Sequence, residues 1–326
     1  MIAADPDLAL ATRDLRKSYG KRVALAGLDL SVPTGVVYGF LGPNGAGKTT
    51  TMRLLTGLLH PDAGSIELLG RPFARGDRRR LFEVGALIES PSFYPYLSGR
   101  QNLRELAATG ATVPKTRVEE LLELVGLRDR ATDKLSGYSL GMKQRLGIAG
   151  ALLSDPKLLL LDEPANGLDP AGIVAMRETL RHLASIGKTV FVSSHLLAEV
   201  QILADVVGII ASGRLVREGT MQELLGSEEV VRVRLPRNDV TRATDVLVAI
   251  APATAGPDLD DGHVWLSVHT LPDRAAEVNR LLAESGIYAS GLESGSDLEM
   301  LFLELTGGAS QPGSEGTFQG IGTPVA

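Results

Sequence analysis

The segment from Gly42 to Thr50 constrains the fold more than any other part of this chain. It matches the pattern G-x-x-x-x-G-K-[ST] of a phosphate-binding loop. Glycines let the backbone bend so that successive N–H groups point at one anion. The preceding run Val36–Leu41 is typical of a buried strand, and apolar residues between Lys48 and Leu59 recur at helical spacing. Strand, loop and helix together are the context that this motif requires.

Each position of the loop has a chemical task in this interpretation. Lys48 is long enough to reach the terminal phosphates, and the Thr49 hydroxyl suits Mg²⁺. The helix that follows also directs its N-terminal dipole at the phosphates. A flexible glycine turn without a ligand is the alternative, and the flanking strand and helix argue against it. The residues that we expect to bind phosphate are Gly42, Pro43, Asn44, Gly45, Ala46, Gly47, Lys48, Thr49 and Thr50.

Composition limits the other possibilities. The chain has 326 residues and a formal net charge of -6, which suits one large domain with a smaller addition. The acidic balance does not indicate a nucleic-acid partner. There are no cysteines, so disulfides and thiolate metal sites are excluded. The N-terminus lacks the pattern of a signal peptide, and no apolar run approaches about 18 residues, so we expect a cytoplasmic chain that does not itself span a membrane.

The pattern along the chain predicts an α/β fold with three parts. Residues 8–226 read as one nucleotide-binding unit, with a helical subdomain inserted at about 99–153. Residues 227–306 read as a small α/β domain of alternating strands and capped helices, and 307–326 are expected to be disordered. The runs predicted as strands of the first unit are Val36–Leu41, Leu158–Asp162, Thr189–Ser193 and Val206–Ala211.

Two carboxylates follow the apolar run from Leu158 to Leu161. A buried strand would deliver Asp162 to the floor of the phosphate site, where it can hold Mg²⁺ through water. Glu163 would then lie beside the γ-phosphate and orient or deprotonate the attacking water. The alternative is a strand followed by an acidic helix cap. The phosphate-binding loop earlier in the chain favours the catalytic interpretation.

The stretch from Tyr138 to Arg145 resembles the signature motif of the ATP-binding-cassette (ABC) ATPases, usually L-S-G-G-Q-x-Q-R. Ser139 precedes Asp162 by 23 residues (162 − 139), which is similar to that family. The resemblance implies that Ser139 and Gly141 contact the γ-phosphate of ATP. The matching positions are Ser139, Gly141, Gln144 and Arg145, whereas Tyr138, Leu140 and Met142 depart from the motif.

Three further positions resemble elements of the same family. The segment Asn166–Asp169 resembles the D-loop at the dimer interface, and Asp169 can also cap a helix that begins at Pro170. His195 resembles the switch histidine that hydrogen-bonds the γ-phosphate, although a histidine at a strand end is often structural. Tyr19 resembles the aromatic residue that stacks on adenine; an ordinary core or surface tyrosine is the alternative.

Glu89 stands where most members of the family have glutamine. Its carboxylate can bind Mg²⁺ or water, but it adds negative charge to a site that already holds Asp162 and Glu163. The run from Ile88 to Pro95, together with the signature segment, resembles bacterial exporters of the bacitracin-resistance type.

The resemblance implies a P-loop ATPase core and a cytoplasmic subunit that powers export of an antibiotic, drug or lipid-like substrate. It implies ATP and Mg²⁺ as ligands, a head-to-tail homodimer, and separate integral membrane permease subunits that hold the chain at the cytoplasmic face of the membrane. The alternative is a soluble ABC ATPase that acts on ribosomes or DNA without a membrane partner. The implied catalytic residues are Lys48, Glu163 and His195, and the implied metal ligands are Thr49, Glu89 and Asp162.

Overall fold

A computed structural model of the chain shows its fold. Residue 226, where the sequence predicts a boundary, and the tail at 307–326 lie outside the described residues. The structure describes residues 7–74, 76–77, 79–89, 91–110, 113–114, 116–225, 230–259, 261–294, 298, 301–302 and 305.

The helices and strands follow one another along the chain in three parts. The first part forms β1 (Leu8–Tyr19), β2 (Arg22–Pro33), β3 (Val37–Leu41), α1 (Lys48–Leu55), β4 (Ala63–Leu68), β5 (Arg71–Pro72) and β6 (Val84–Leu87). The middle part forms α2 (Gly99–Thr109), α3 (Arg117–Leu124), α4 (Leu140–Ala151), β7 (Leu158–Asp162), α5 (Pro170–Ser185), β8 (Thr189–Ser194), α6 (Leu197–Leu203), β9 (Val206–Ala211), β10 (Arg214–Thr220) and α7 (Met221–Leu225). The last part forms β11 (Val231–Pro236), α8 (Val240–Leu247), β12 (Ala253–Asp258), β13 (His263–Val268), α9 (Ala275–Glu284) and β14 (Gly291–Ser294).

A largely parallel sheet in the order β10-β9-β3-β8-β7-β6 forms the centre of the molecule, with β10 as its antiparallel edge. Strands β3, β7 and β8 are buried along their whole length, as expected for parallel strands covered on both faces. Because the carboxyl ends of parallel strands meet at one edge, the phosphate-binding loop after β3 lies beside the ends of β7 and β8. The α/β class and the four predicted strands are confirmed.

A second, antiparallel sheet in the order β2-β1-β4-β5 packs against one face of the central sheet. Leu10, Leu28 and Leu30 from this sheet join Phe40 and Phe191 in one buried cluster, to which α1 also contributes. This sheet was not predicted from the sequence. Strands β1 and β2 meet in a two-residue turn, and their register pairs Tyr19 with Arg22.

Helices α2, α3 and α4 cover the opposite face of the central sheet. Leu103, Leu122 and Leu146 pack between these helices, and the same cluster includes Leu161 and Val192 from the sheet. Helix α2 begins at a capping box in which Ser98 and Gln101 exchange side-chain-to-backbone hydrogen bonds. These helices fall within the stretch 99–153 that the sequence predicts to be helical.

The last part forms a separate antiparallel sheet in the order β12-β13-β11-β14, with α8 and α9 on one face. The chain order β-α-β-β-α-β and this strand order define a split β-α-β fold. Val231, Val233 and Leu235 point from β11 into the cluster beneath the helices. The alternation of Val and Arg in β11 predicted this strand, whereas β12 and β14 were not predicted.

A fourth apolar cluster joins the end of the described chain to the central sheet. Leu298 is fully buried there, and Phe302 packs against the same group. Their neighbours include Leu41 at the end of β3, Val200 in α6 and Val207 in β9. After α7 the chain therefore forms the last sheet and then returns to pack against the central sheet. Among the described residues, no helix has the length and apolar character needed to span a membrane.

Candidate functional site

The phosphate-binding loop has a shape that its glycines make possible. Gly47 has φ 116°, and a Cβ at this position would lie 2.8 Å from the carbonyl oxygen of Ala24. A Cβ on Gly42 would lie 2.6 Å from the carbonyl oxygen of Ile210. Backbone atoms of β2 and β9 thus press against the loop at both ends. Any larger residue at these positions would have to displace a strand.

Lys48 begins α1 and is buried within the loop. Its Nζ donates to the carbonyl oxygen of Gly42 over 2.6 Å and lies 3.2 Å from Glu163 Oε1. The positive charge is therefore held at the centre of the loop, with the backbone oxygens of Gly42 and Pro43 and one carboxylate as partners. A phosphate group is the kind of anion that this buried cation suits.

Asp162 ends β7 and accepts two hydroxyl hydrogen bonds. Thr49 Oγ1 donates to Asp162 Oδ2 over 2.8 Å, and Ser193 Oγ donates to Asp162 Oδ1 over 2.5 Å. The Asp162 carboxylate is buried, whereas Thr49 lies at the cleft. One hydroxyl and one carboxylate are oxygen ligands of the kind that Mg²⁺ takes when it also binds substrate phosphates. The donor set therefore fits the predicted metal.

Glu163 lies between the two remaining catalytic candidates. Its Oε2 is 2.7 Å from His195 Nδ1, and its Oε1 is 3.2 Å from Lys48 Nζ. The backbone of Glu163 has φ 48°, and its N–H donates to Ser193 Oγ over 3.0 Å. A non-glycine residue in this region costs about 1–3 kcal/mol, so its surroundings must hold it there.

Ser193 is a functional candidate that was not predicted from the sequence. Its hydroxyl donates to Asp162 and accepts from the N–H of Glu163, so one side chain fixes both carboxylate residues. The signal that could have found it was its place in the Ser193-Ser194-His195 run at the end of a predicted strand.

An open, polar cleft of about 530 Å³ surrounds these groups. Tyr19 stands at the cleft with 44% of its surface exposed, and its aromatic ring is of the kind that can stack on a base. A glycine-lined loop, several cations and an exposed aromatic ring together fit a nucleoside polyphosphate. The residues that line the cleft are Tyr19, Arg22, Ala24, Asn44, Gly45, Gly47, Lys48, Thr49, Thr50, Arg53, Glu163, Asn166 and His195.

Eight predicted site residues do not line this cleft. Gly42, Pro43, Ala46 and Asp162 lie in the loop or beneath it, whereas Ser139, Gly141, Asp169 and Glu89 belong to other segments. Ser139 is exposed at the N-terminus of α4, where its Oγ accepts from the N–H of Met142 over 3.2 Å. Asp169 caps α5 by accepting from the N–H of Gly172, as predicted. Glu89 is exposed and forms an ion pair with Arg53, so its role as a metal ligand stays a prediction.

Two departures from the signature motif have packing explanations. Tyr138 is buried, and its hydroxyl donates to the carbonyl oxygen of Arg130 over 2.7 Å. Burial raises the pKa of the Tyr138 hydroxyl, which keeps it a donor. Leu140 lies over Gly167, where a Cβ would approach Leu140 Cδ2 to 2.8 Å. The start of α4 therefore contacts the segment that ends at Asp169.

Comparison with known proteins gives a consistent result. The family model described as ABC transporter matches residues 25–166. The chain is 37% identical over 304 residues to the bacitracin transport ATP-binding protein BcrA of Enterococcus faecalis, covering 93% of this chain and 97% of that protein. It is 44% identical over 221 residues to the lantibiotic transport ATP-binding protein SrtF of Streptococcus pyogenes. That match covers 68% of this chain and 93% of SrtF. A solved structure of an ATP binding subunit of an ABC transporter has a TM-score of 0.60 at 30% identity and covers 66% of this chain and 91% of that chain.

Replacement of Ser193 by alanine should weaken the site through both carboxylate residues. The buried Asp162 would lose a charge-assisted hydrogen bond, so we expect the free energy of unfolding in urea to fall by about 1–3 kcal/mol. Nucleotide hydrolysis per folded molecule should fall as well, because Glu163 loses a backbone anchor.

The matched control is Ser194→Ala. Ser194 is also buried, but its hydroxyl accepts from the N–H of Leu196 and contacts neither carboxylate. The Ser194→Ala variant should have a lower free energy of unfolding than the wild type but the same rate of nucleotide hydrolysis per folded molecule. Equal hydrolysis in the two variants would contradict the role given to Ser193.

Proposed function

The chain belongs to the ABC transporter ATPases, and we propose that it is the ATP-hydrolysing subunit of an exporter of peptide antibiotics. Membership and ATPase activity rest on the family match and on relatives that the chain covers over nearly their full length. The substrate class is inferred from two relatives whose names refer to bacitracin and to lantibiotics. Neither name refers to ribosomes or DNA, which were the targets in the alternative function.

The placement of Glu163 carries the catalytic part of the proposal. Its carboxylate stands at the cleft between a buried lysine and a histidine, 3.2 Å from Lys48 Nζ and 2.7 Å from His195 Nδ1. A carboxylate in this position can accept a proton from water as the water attacks the γ-phosphate. His195 holds one carboxylate oxygen of Glu163 and so leaves the other to face Lys48. We assign Glu163 as the general base and His195 as its partner.

Lys48 and Thr49 lie at the end of the cleft where the phosphates would bind. When phosphate oxygens enter the loop, the Lys48 ammonium can exchange its carboxylate partner Glu163 for them, which frees the base. We propose that Thr49 and Asp162 hold Mg²⁺, which neutralises negative charge on the phosphates when bound. Ser193 keeps the Asp162 carboxylate oriented for this task.

The cleft of one chain lacks the signature residues, and this supports a composite site. Ser139 is exposed at the N-terminus of α4, outside the cleft of its own chain. We propose that Ser139 and Gly141 complete the cleft of a second copy in a head-to-tail homodimer, with Asp169 at the interface between the copies. A helix N-terminus with a serine cap is suited to the γ-phosphate of the facing site.

We propose that separate integral membrane permease subunits hold this ATPase at the cytoplasmic face of the membrane. The names of the transporter relatives support this partner. We further propose that the ATP-binding cassette spans residues 8–226, including the helical subdomain at 99–153, and that 227–306 is an accessory domain. The separate apolar core beneath α8 and α9 supports this division, and Leu298 and Phe302 attach the accessory domain to the central sheet.

Glu163→Gln should lower the turnover of ATP by about 100- to 10,000-fold and leave ATP affinity unchanged. The amide keeps the shape of the side chain but cannot accept the proton. ATP-bound dimers should accumulate, as measured by light scattering. Glu178→Gln is the matched control, because Glu178 is exposed on α5 and does not line the cleft. Turnover near the wild-type rate in Glu163→Gln would remove Glu163 from catalysis.

Ser139 should act on the nucleotide of the partner subunit. An equal mixture of Lys48→Ala and Ser139→Ala chains should recover about one quarter of the wild-type ATPase rate, because half of the dimers hold one intact composite site. Each variant alone should be nearly inactive. Full activity of either variant as an isolated monomer would exclude the composite site.

The transport proposal is tested by purifying the chain from membranes with its partners. An integral membrane protein should be recovered with it, and raised production of both should increase bacterial survival in bacitracin. The same pair carrying Glu163→Gln should give no protection, since transport requires hydrolysis. Recovery of ribosomes or DNA in place of a membrane protein would support the soluble alternative instead.

A further inference from the structure

The positive charges that line the nucleotide cleft differ in their partners. Three basic residues line it: Arg22, Lys48 and Arg53. Lys48 faces Glu163, and Arg53 forms an ion pair with Glu89. Within the described part of the chain, Arg22 has no acidic partner. Among these three cleft cations, the Arg22 guanidinium is the one that no carboxylate of the described residues neutralises.

The hairpin between β1 and β2 places Arg22 beside Tyr19. The antiparallel register pairs the two residues directly, on either side of the turn formed by Gly20 and Lys21. Directly paired residues of an antiparallel sheet project from the same face. The aromatic ring and the guanidinium therefore enter the cleft together.

The guanidinium also lies close to the phosphate-binding loop. A Cβ built on Gly45 would be 3.4 Å from Arg22 Nη2, and Gly45 has φ 83° in the middle of the loop. Arg22 thus approaches the loop from the hairpin side, whereas Lys48 approaches from α1. A chain of phosphates seated in the loop would lie between these two cations.

We propose that Arg22 is a further nucleotide-binding residue, which contacts the phosphate chain of ATP while Tyr19 stacks on the base. This inference rests on the proposed ATP site. A planar guanidinium donates paired hydrogen bonds to phosphate oxygens, and such charge-assisted bonds are stronger than neutral ones. The hairpin then holds both ends of the nucleotide, with the base on Tyr19 and the phosphates on Arg22.

The test measures nucleotide affinity by displacement of a fluorescent ATP analogue. Arg22→Ala should weaken the binding of ATP and ADP about tenfold, because the contact between the guanidinium and the phosphates is lost. The binding of adenosine should stay unchanged, because adenosine has no phosphates. Arg22→Lys should recover part of the loss, since a lysine keeps the charge without the paired geometry.

Lys21→Ala is the matched control. Lys21 is the neighbouring residue of the same turn, is exposed and does not line the cleft. It should bind ATP like the wild type. An equal loss in Lys21→Ala would reduce the effect to general surface charge and overturn the proposal.

Two other outcomes also overturn it. Unchanged ATP affinity in Arg22→Ala would show that Arg22 does not contact the nucleotide. An equal loss of adenosine affinity would show that Arg22 contacts the nucleoside and not the phosphates. Failure of the wild-type chain to bind ATP at all would instead refute the ATP site itself. The two failures are therefore distinguishable in one set of titrations.

Discussion

The parallel pairing of β3, β8 and β7 determines where the phosphate-binding loop and the two carboxylate residues lie. The register sets Leu41 beside Ser194 and Asp162 beside Ser193, so the loop and both carboxylate residues emerge at one sheet edge. Each strand contributes one kind of group: β3 leads to the phosphate-binding loop, β7 ends in acids, and β8 ends in hydroxyls. A shift of one residue along any strand would turn its side chains to the opposite face and separate them.

The features that could be predicted from sequence are those with a local signal. The phosphate-binding loop has a fixed spacing, and the buried parallel strands read as uninterrupted apolar runs, so both were found in the expected places. The β1–β2–β4 sheet was missed because its strands mix buried apolar residues with exposed charged ones and β1 contains an irregular stretch near Asp14. No single run in that region is diagnostic of a strand.

The parts of the site that could not be predicted depend on distant contacts. Ser193 is important because its hydroxyl hydrogen-bonds to Asp162, which lies 31 residues earlier in the chain. Arg22 is important because the register of the hairpin places its guanidinium close to Gly45. Family resemblance supplied Glu89 as a metal ligand, but its charge is instead matched by Arg53 in the described structure. The identity of a neighbouring side chain, which a linear pattern does not contain, decides each of these cases.

The fourth apolar cluster links the order of synthesis to the completion of the fold. Leu41 belongs to the strand that carries the phosphate-binding loop, yet its cluster is completed by Leu298 and Phe302 near the other end of the chain. A ribosome must therefore translate past Phe302 before this side of the central sheet is covered. Until then an apolar surface stays open to chaperones or to other nascent chains. A premature stop codon in the last part would leave that surface permanently uncovered, even though every ATP-binding residue had already been translated.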